Sequence, residues 1–154
     1  MTDYINSITA NNTNYPIGGD TFDGRWVNTR FSILSNATLA AKTAVTYSLS
    51  NYLPNDNYTY EVIFSGGCQS NGAKSDLCQL MLYTGTADTT TAANGLRLDR
   101  AVARTANTVL AGASAILPIY PNDKNITVYT IGAVNANKNT YLSALGYRRI
   151  GTND

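Results

Sequence analysis

Tyr58-Thr59-Tyr60-Glu61-Val62-Ile63-Phe64-Ser65 sets Tyr58, Tyr60, Val62 and Phe64 on one side of an extended chain. Successive side chains of a strand point to opposite faces, so a period of two with bulky apolar groups on one side marks a strand lying on a core. The same pattern recurs outward from this stretch. Upstream, Thr43 to Leu53 alternates through Val45, Tyr47 and Leu49, and Arg25 to Leu34 carries Trp26, Val27, Phe31, Ile33 and Leu34. Downstream lie Gln79 to Gly85, Gly95 to Arg104, Leu110 to Ile119, Ile126 to Ala133 and Thr140 to Ile150. Gly, Asn, Asp, Pro and Ser separate the runs, as turns require.

These segments predict an all-β protein. The expected architecture is an antiparallel β-sandwich, jelly-roll-like, of about eight strands, preceded by an extended N-terminal arm. Two Ala-rich stretches, Asn36 to Ala44 and Ala101 to Ala115, lack a sustained helical period and read as loop and strand. Residues 1 to 24 have little to pack and form the arm; residues 25 to 154 form the sandwich domain. The chain of 154 residues is long enough to bury a core without metals or staples.

Charged residues make up only 14 % of the chain, against about a quarter in ordinary globular proteins. Asn, Thr and Ser supply polarity instead. A net charge of +1 gives no electrostatic pull toward nucleic acid or anionic lipid. No apolar run approaches the roughly 18 to 20 residues of a membrane span, and Met1 to Asn14 holds no apolar signal core.

Candidate chemistry is sparse. Histidine is absent, which removes the commonest general base and the usual partner of a Ser or Cys nucleophile. Carboxylates for glycoside hydrolysis would have to come from Asp20, Asp23, Asp56, Glu61 or Asp99. Glu61, the single glutamate, sits on an alternating strand and is expected to face solvent or pair with an arginine. No catalytic, cofactor-binding or metal residues are therefore assigned, and the chain reads as a non-enzyme without cofactors. Cys68 and Cys78 either end a hairpin excursion as two thiols or close it as a disulfide. Tyr52-Leu53-Pro54-Asn55-Asp56-Asn57 is echoed by Tyr120-Pro121-Asn122-Asp123-Lys124-Asn125, each just before an alternating run. Both read as reverse turns that launch strands; the alternative, a pair of calcium loops, has one carboxylate per loop where calcium needs several.

The stretch from Tyr52 through Tyr58-Thr59-Tyr60-Glu61-Val62-Ile63-Phe64-Ser65 to Gly66 resembles the central strands of short β-rich structural proteins of tailed bacteriophages. The ending Tyr141-Leu142-Ser143-Ala144-Leu145-Gly146-Tyr147-Arg148-Arg149-Ile150-Gly151 is similar to their C-terminal strand. The resemblance implies a virion location and a capsid-decorating or head-fibre role rather than a full tail fibre, since no shaft or coiled-coil region is present. It implies a homotrimer as the working unit, with the major capsid or other virion proteins as partners. The alternative is a carbohydrate-binding or receptor-binding module that meets a host-surface glycan, because eleven tyrosines and Trp26 offer rings on which sugars stack.

Overall fold

The computed structural model describes residues 7–10, 13–16, 24–37, 39–70, 77–102, 109–132 and 140–152. Strands β1 (Ser7–Ala10) and β2 (Thr13–Pro16) pair antiparallel in a two-stranded sheet of their own. The remaining strands are β3 (Trp26–Val27), β4 (Phe31–Ala37), β5 (Ala44–Ser48), β6 (Tyr58–Ser70), β7 (Leu77–Thr84), β8 (Leu96–Val102), β9 (Val109–Ile119), β10 (Asn125–Gly132) and β11 (Thr140–Thr152). A single helical turn, α1 (Thr89–Ala92), lies between β7 and β8.

Two antiparallel sheets form the sandwich. One has the order β5-β10-β7-β8; the other runs β3-β11-β6-β9, with β4 also on β11. From β4 to β7, and again from β8 to β11, the chain alternates between sheets, while β7 and β8 are neighbours in one sheet. The pairings nest: β4 with β11, β5 with β10, β7 with β8, β6 with both β11 and β9. That order is a jelly roll, a long antiparallel ribbon folded over on itself into two facing sheets.

The alternation seen in the sequence places the core. Tyr60, Val62 and Phe64 of β6, Leu80 and Leu82 of β7, Ile126 and Val128 of β10, and Leu142 and Ala144 of β11 are buried between the sheets. Each large apolar side chain buried there contributes roughly 1.5 to 3 kcal/mol. The two long strands of the second sheet come very close. A Cβ on Gly66 would meet the Tyr141 carbonyl oxygen at 2.6 Å, so β6 needs glycine there.

The expected strand over Arg25 to Leu34 divides at Asn28 to Arg30 into β3 and β4, both of which pair with β11. The segment from Thr43 leaves strand geometry after Ser48, where the Tyr52 and Leu53 amides both turn back to the Leu49 carbonyl. The hairpin expected around Cys68 and Cys78 does not form. Both edges of β6 are occupied, by β11 and β9, so β7 has no place beside it and goes to the opposite sheet. Residues 71–76 of that connection lie outside the described residues, as do residues 1–6, 11–12 and 17–23 of the stretch expected to form an arm.

The outer faces of the two sheets differ. Over β5-β10-β7-β8, Asp88 caps α1 by accepting a 2.7 Å hydrogen bond from the Thr91 amide. Ala92 of that turn packs on Met81 and Tyr129. The buried Thr127 hydroxyl donates to the Gly85 carbonyl at 2.7 Å and accepts from the Ala87 amide at 3.1 Å. With its one hydrogen used on Gly85, the 2.9 Å contact with Thr46 has Thr46 as donor. This connection therefore covers the face. No such segment covers the other sheet among the described residues.

Leu142 is fully buried on β11, which has partners along both edges. Leu142→Ala is expected to cost about 2 to 5 kcal/mol and to lower the melting temperature by roughly 4 to 20 °C for a domain of this size. Thermal denaturation followed by circular dichroism checks this; a change below about 2 °C would mean that β11 does not anchor the core.

Candidate functional site

The two echoing turns meet at one end of the sandwich. The Lys124 ammonium donates to the carbonyls of Pro54 at 2.7 Å and Asp56 at 3.0 Å, tying one turn to the other. The Asp56 carboxylate accepts from the Tyr58 amide at 3.2 Å and from the Tyr60 hydroxyl at 2.6 Å. Asp123 accepts from the Thr86 amide at 2.8 Å, the Thr86 hydroxyl at 3.2 Å and the Asn125 side-chain amide at 2.7 Å. Asp56 is thus engaged at the start of its own strand and Asp123 by Thr86 of the β7–α1 connection as well as by Asn125, and the turns launch β6 and β10 as expected. Among the described residues no group of three or more His, Cys, Asp or Glu stands together as a metal site.

An aromatic array backs the same end. Phe31 stacks on Tyr52 with centroids 5.3 Å apart, and Tyr147 meets Tyr52 and Tyr60 edge-on at 5.3 and 5.4 Å. The Tyr52 hydroxyl donates to the Thr29 carbonyl at 2.8 Å. Burial, then the neighbouring Tyr147, push the Tyr52 hydroxyl up to about 12. Burial and the hydrogen bond to Asp56 push Tyr60 up as well.

On the outer face of the β3/β4-β11-β6-β9 sheet, register arranges residues in rows across the strands. Trp26, Arg148, Glu61 and Pro118 are successive cross-strand partners. The Arg148 Nε donates to Glu61 Oε2 at 2.6 Å, and its guanidinium lies 4.9 Å from the Trp26 ring centre. The next row holds Gly146, Ile63 and Ile116. Ile116 is 54 % exposed, with Leu145 and Ile150 of β11 at 38 and 44 %. A third row, Ser32, Ser143, Ser65 and Ser114, is polar; Ser143 in it is buried, its hydroxyl accepting from the Arg30 guanidinium at 3.5 Å. Arg149, one residue on from Arg148, turns the other way and lies over Tyr58 at 4.1 Å.

A cleft of about 520 Å³ opens beside the turns, where the β8 and β9 edges of the two sheets face each other. Leu82, Leu96, Leu117 and Tyr120 supply its apolar walls; Asn94, Asn122 and Asp123 supply polar groups. Leu96 and Tyr120 are each 47 % exposed.

Of the residues singled out from sequence, Glu61 pairs with an arginine as expected, and Asp56 is bound within its turn. Glu61 lies on the outer sheet face and Asp56 at the turn end, where it bonds an inward-facing tyrosine, so they do not assemble as a pair. Asp20 and Asp23 lie outside the described residues, and Asp99 is on β8. Cys68 and Cys78 are both fully buried, on β6 and β7 of opposite sheets. The cleft was not foreseen. Its signal in sequence was slight: an aromatic, Tyr120, opening a turn at the end of a strand.

No protein-family model matches the chain. No curated protein matches it either. Among solved structures it is similar to a chain of the extra small virus of the giant freshwater prawn Macrobrachium rosenbergii, imaged as a virus-like particle, at 12 % identity and TM-score 0.39, covering 99 % of this chain and 97 % of that one. It is also similar to a chain of infectious bursal disease virus, Gx strain, at 9 % identity and TM-score 0.35, with 97 % of this chain and 37 % of that one covered. A third similarity is to the infectious bursal disease virus VP2 subviral particle, at 11 % identity and TM-score 0.33, with 94 % of this chain and 38 % of that one covered. The chain spans less than half the length of either bursal disease virus chain.

The raised tyrosines set an alkaline limit on stability. Below about pH 10, where the unfolded tyrosine is still protonated, their neutral burial contributes fully. As pH rises from about 10 through about 12, the unfolded chain ionises first and that contribution is lost. Denaturant midpoints should therefore hold up to about pH 10 and fall above it, and Tyr52→Phe should flatten the fall. Chemical denaturation across that range checks both; an unchanged slope in the variant would show that Tyr52 is not the group responsible.

Proposed function

We propose that the chain is a virion structural protein that works as repeated copies of itself on a particle surface. The observation that carries this reading is the outer face of the β3/β4-β11-β6-β9 sheet, which no described segment covers as α1 covers the other. Ile116, Leu145 and Ile150 stand exposed there beside the Trp26-Arg148-Glu61 row, while the opposite sheet keeps its own outer face under α1. Exposed apolar side chains on a rigid sheet, rimmed by an ion pair and serines, suit burial against a protein partner. A jelly-roll fold alone does not fix a function, but it presents such a face on a stiff frame with its loops gathered at the ends.

The resemblance of two segments to tailed-phage structural proteins gives the finer reading. Those segments are hydrogen-bonded neighbours, with β6 and β11 in register from Tyr141 opposite Gly67 to Thr152 opposite Tyr58. They therefore form one continuous unit, the centre of the exposed sheet. On this reading the chain is a capsid-decorating or head-fibre protein, a trimer, with residues 1–24 as an arm against a neighbouring copy or the capsid. Many weak contacts, repeated by symmetry, would hold it through avidity.

The purified chain should sediment as a homo-oligomer, and Ile116→Asp with Leu145→Asp should disperse it to monomer. Because both side chains are exposed, the double variant should melt within a few degrees of the parent. Analytical ultracentrifugation decides it. A parent that stays monomeric at tens of micromolar, or a variant that assembles equally well, counts against this face as the contact.

A further inference from the structure

The geometry points to the cleft between the β8 and β9 edges as a binding site for a neutral carbohydrate. This inference stands independently of the assembly reading, because the cleft and the exposed sheet face are different surfaces.

The chemistry of the walls selects the ligand class by elimination. The cleft's volume of about 520 Å³ lies within the roughly 300 to 1,000 Å³ of small-molecule sites. Among the described residues no lysine or arginine lines it, and Asp123 is the one carboxylate. An anionic ligand would meet Asp123 with no opposing cation among the described lining residues, so phosphates, nucleotides and sialylated sugars are disfavoured. A divalent cation would find only that carboxylate, already holding three hydrogen bonds. A wholly apolar ligand would bury the Asn122 amide and Asp123 without replacing their water.

A neutral sugar meets each wall. Its hydroxyls both donate and accept, matching the exposed Asn122 amide. The Asn94 side-chain nitrogen already donates to the Thr90 carbonyl at 3.1 Å, which leaves its oxygen to accept. Asp123, held in place by Thr86 and Asn125, offers a fixed further acceptor. The apolar C–H face of the sugar ring needs a flat surface. Tyr120 provides one, with its ring half-exposed at the mouth and Leu96 exposed to the same degree on the other edge. The Asp123 contacts also order the Tyr120 to Asp123 turn before any ligand arrives, which lowers the entropic cost of binding.

The test uses the full chain and neutral oligosaccharides of glucose, galactose, mannose and N-acetylglucosamine, with sialylated and sulfated glycans as the anionic comparison. Binding is screened by saturation-transfer NMR and measured by amide shift titration. At least one neutral glycan should bind, moving the amides of Asn94 to Leu96 and Tyr120 to Asp123, and no anionic glycan should bind better. Tyr120→Ala should weaken that binding at least tenfold, about 1.4 kcal/mol, whereas Tyr120→Phe, which keeps the ring, should stay within about twofold. Ile116→Asp should leave it unchanged, so a failed assembly surface and a failed sugar site are told apart. Absence of binding by every neutral glycan at millimolar concentration overturns the inference. Binding that survives Tyr120→Ala, or shifts confined to other residues, overturns it equally.

Discussion

Strand β11 has hydrogen-bonded partners along both of its edges, β6 on one and the pair β3 and β4 on the other. The outermost pairing of the jelly roll is therefore between the first strand of the sandwich and the last. Two irregularities let it form. β11 slips register against β6 between Ala144 and Gly146 and again between Arg149 and Gly151. At the first slip, a Cβ on Gly146 would meet the Val27 carbonyl oxygen at 2.8 Å, so β3 can lie against β11 only because glycine is there. The slip also reverses the facing of the residues beyond it. Tyr147 consequently points inward to the aromatic array and Arg148 outward to Glu61. The inner packing and the outer ion pair both depend on one bulge.

The difference between the two outer faces has a local cause. Strand β10 is flanked by β5 and β7 and carries Thr127 and Tyr129 on its outer side. In an uncovered strand those positions would be solvated. Here the Thr127 hydroxyl anchors residues 85 to 87, and the turn that follows brings Ala92 down onto Met81 and Tyr129. Polar threonine and small alanine suit this cover, because one supplies hydrogen bonds for a passing backbone and the other lets the turn approach. The facing sheet has isoleucines and serines in the corresponding rows, and among the described residues no backbone segment is anchored over it in this way. Ile116, Leu145 and Ile150 there are exposed.

What was legible in the sequence was whatever depends on near neighbours. The period of two across Tyr58 to Phe64 and Ile126 to Ile131 located strands and their inward faces, and Pro-Asn-Asp runs located the turns that begin them. Features set by distant neighbours were not legible. Lys124 grips backbone carbonyls 68 and 70 residues away; every residue has a carbonyl, so nothing in the sequence marks these two. The turn α1 consists of three threonines and an alanine, a poor helix former by propensity and too short for a period to show. The division of β3 from β4 follows from how each meets β11. The cleft exists because the edges of two sheets face each other, a relation that appears only once strand order is known.

The paired turns join these levels. The Lys124 ammonium, together with the Lys124 carbonyl accepting from the Leu49 amide at 2.8 Å, holds the β5–β6 turn against the β9–β10 turn, and those turns carry Asp56 and Asp123 respectively. Asp56 fixes the Tyr60 hydroxyl and through that ring the edge-on contact with Tyr147 of β11. Asp123 fixes Thr86 and Asn125 beside the cleft. Lys124 thus lies between the core aromatics on one side and the cleft wall on the other. Charge-assisted hydrogen bonds of this kind contribute more than neutral ones and resist misalignment. The chain has few charges, and here they are placed where loops need rigidity. Rigidity at this end keeps the Tyr120 ring and the Asn122 amide in fixed relation, which is the condition for a shallow surface cleft to discriminate between ligands at all.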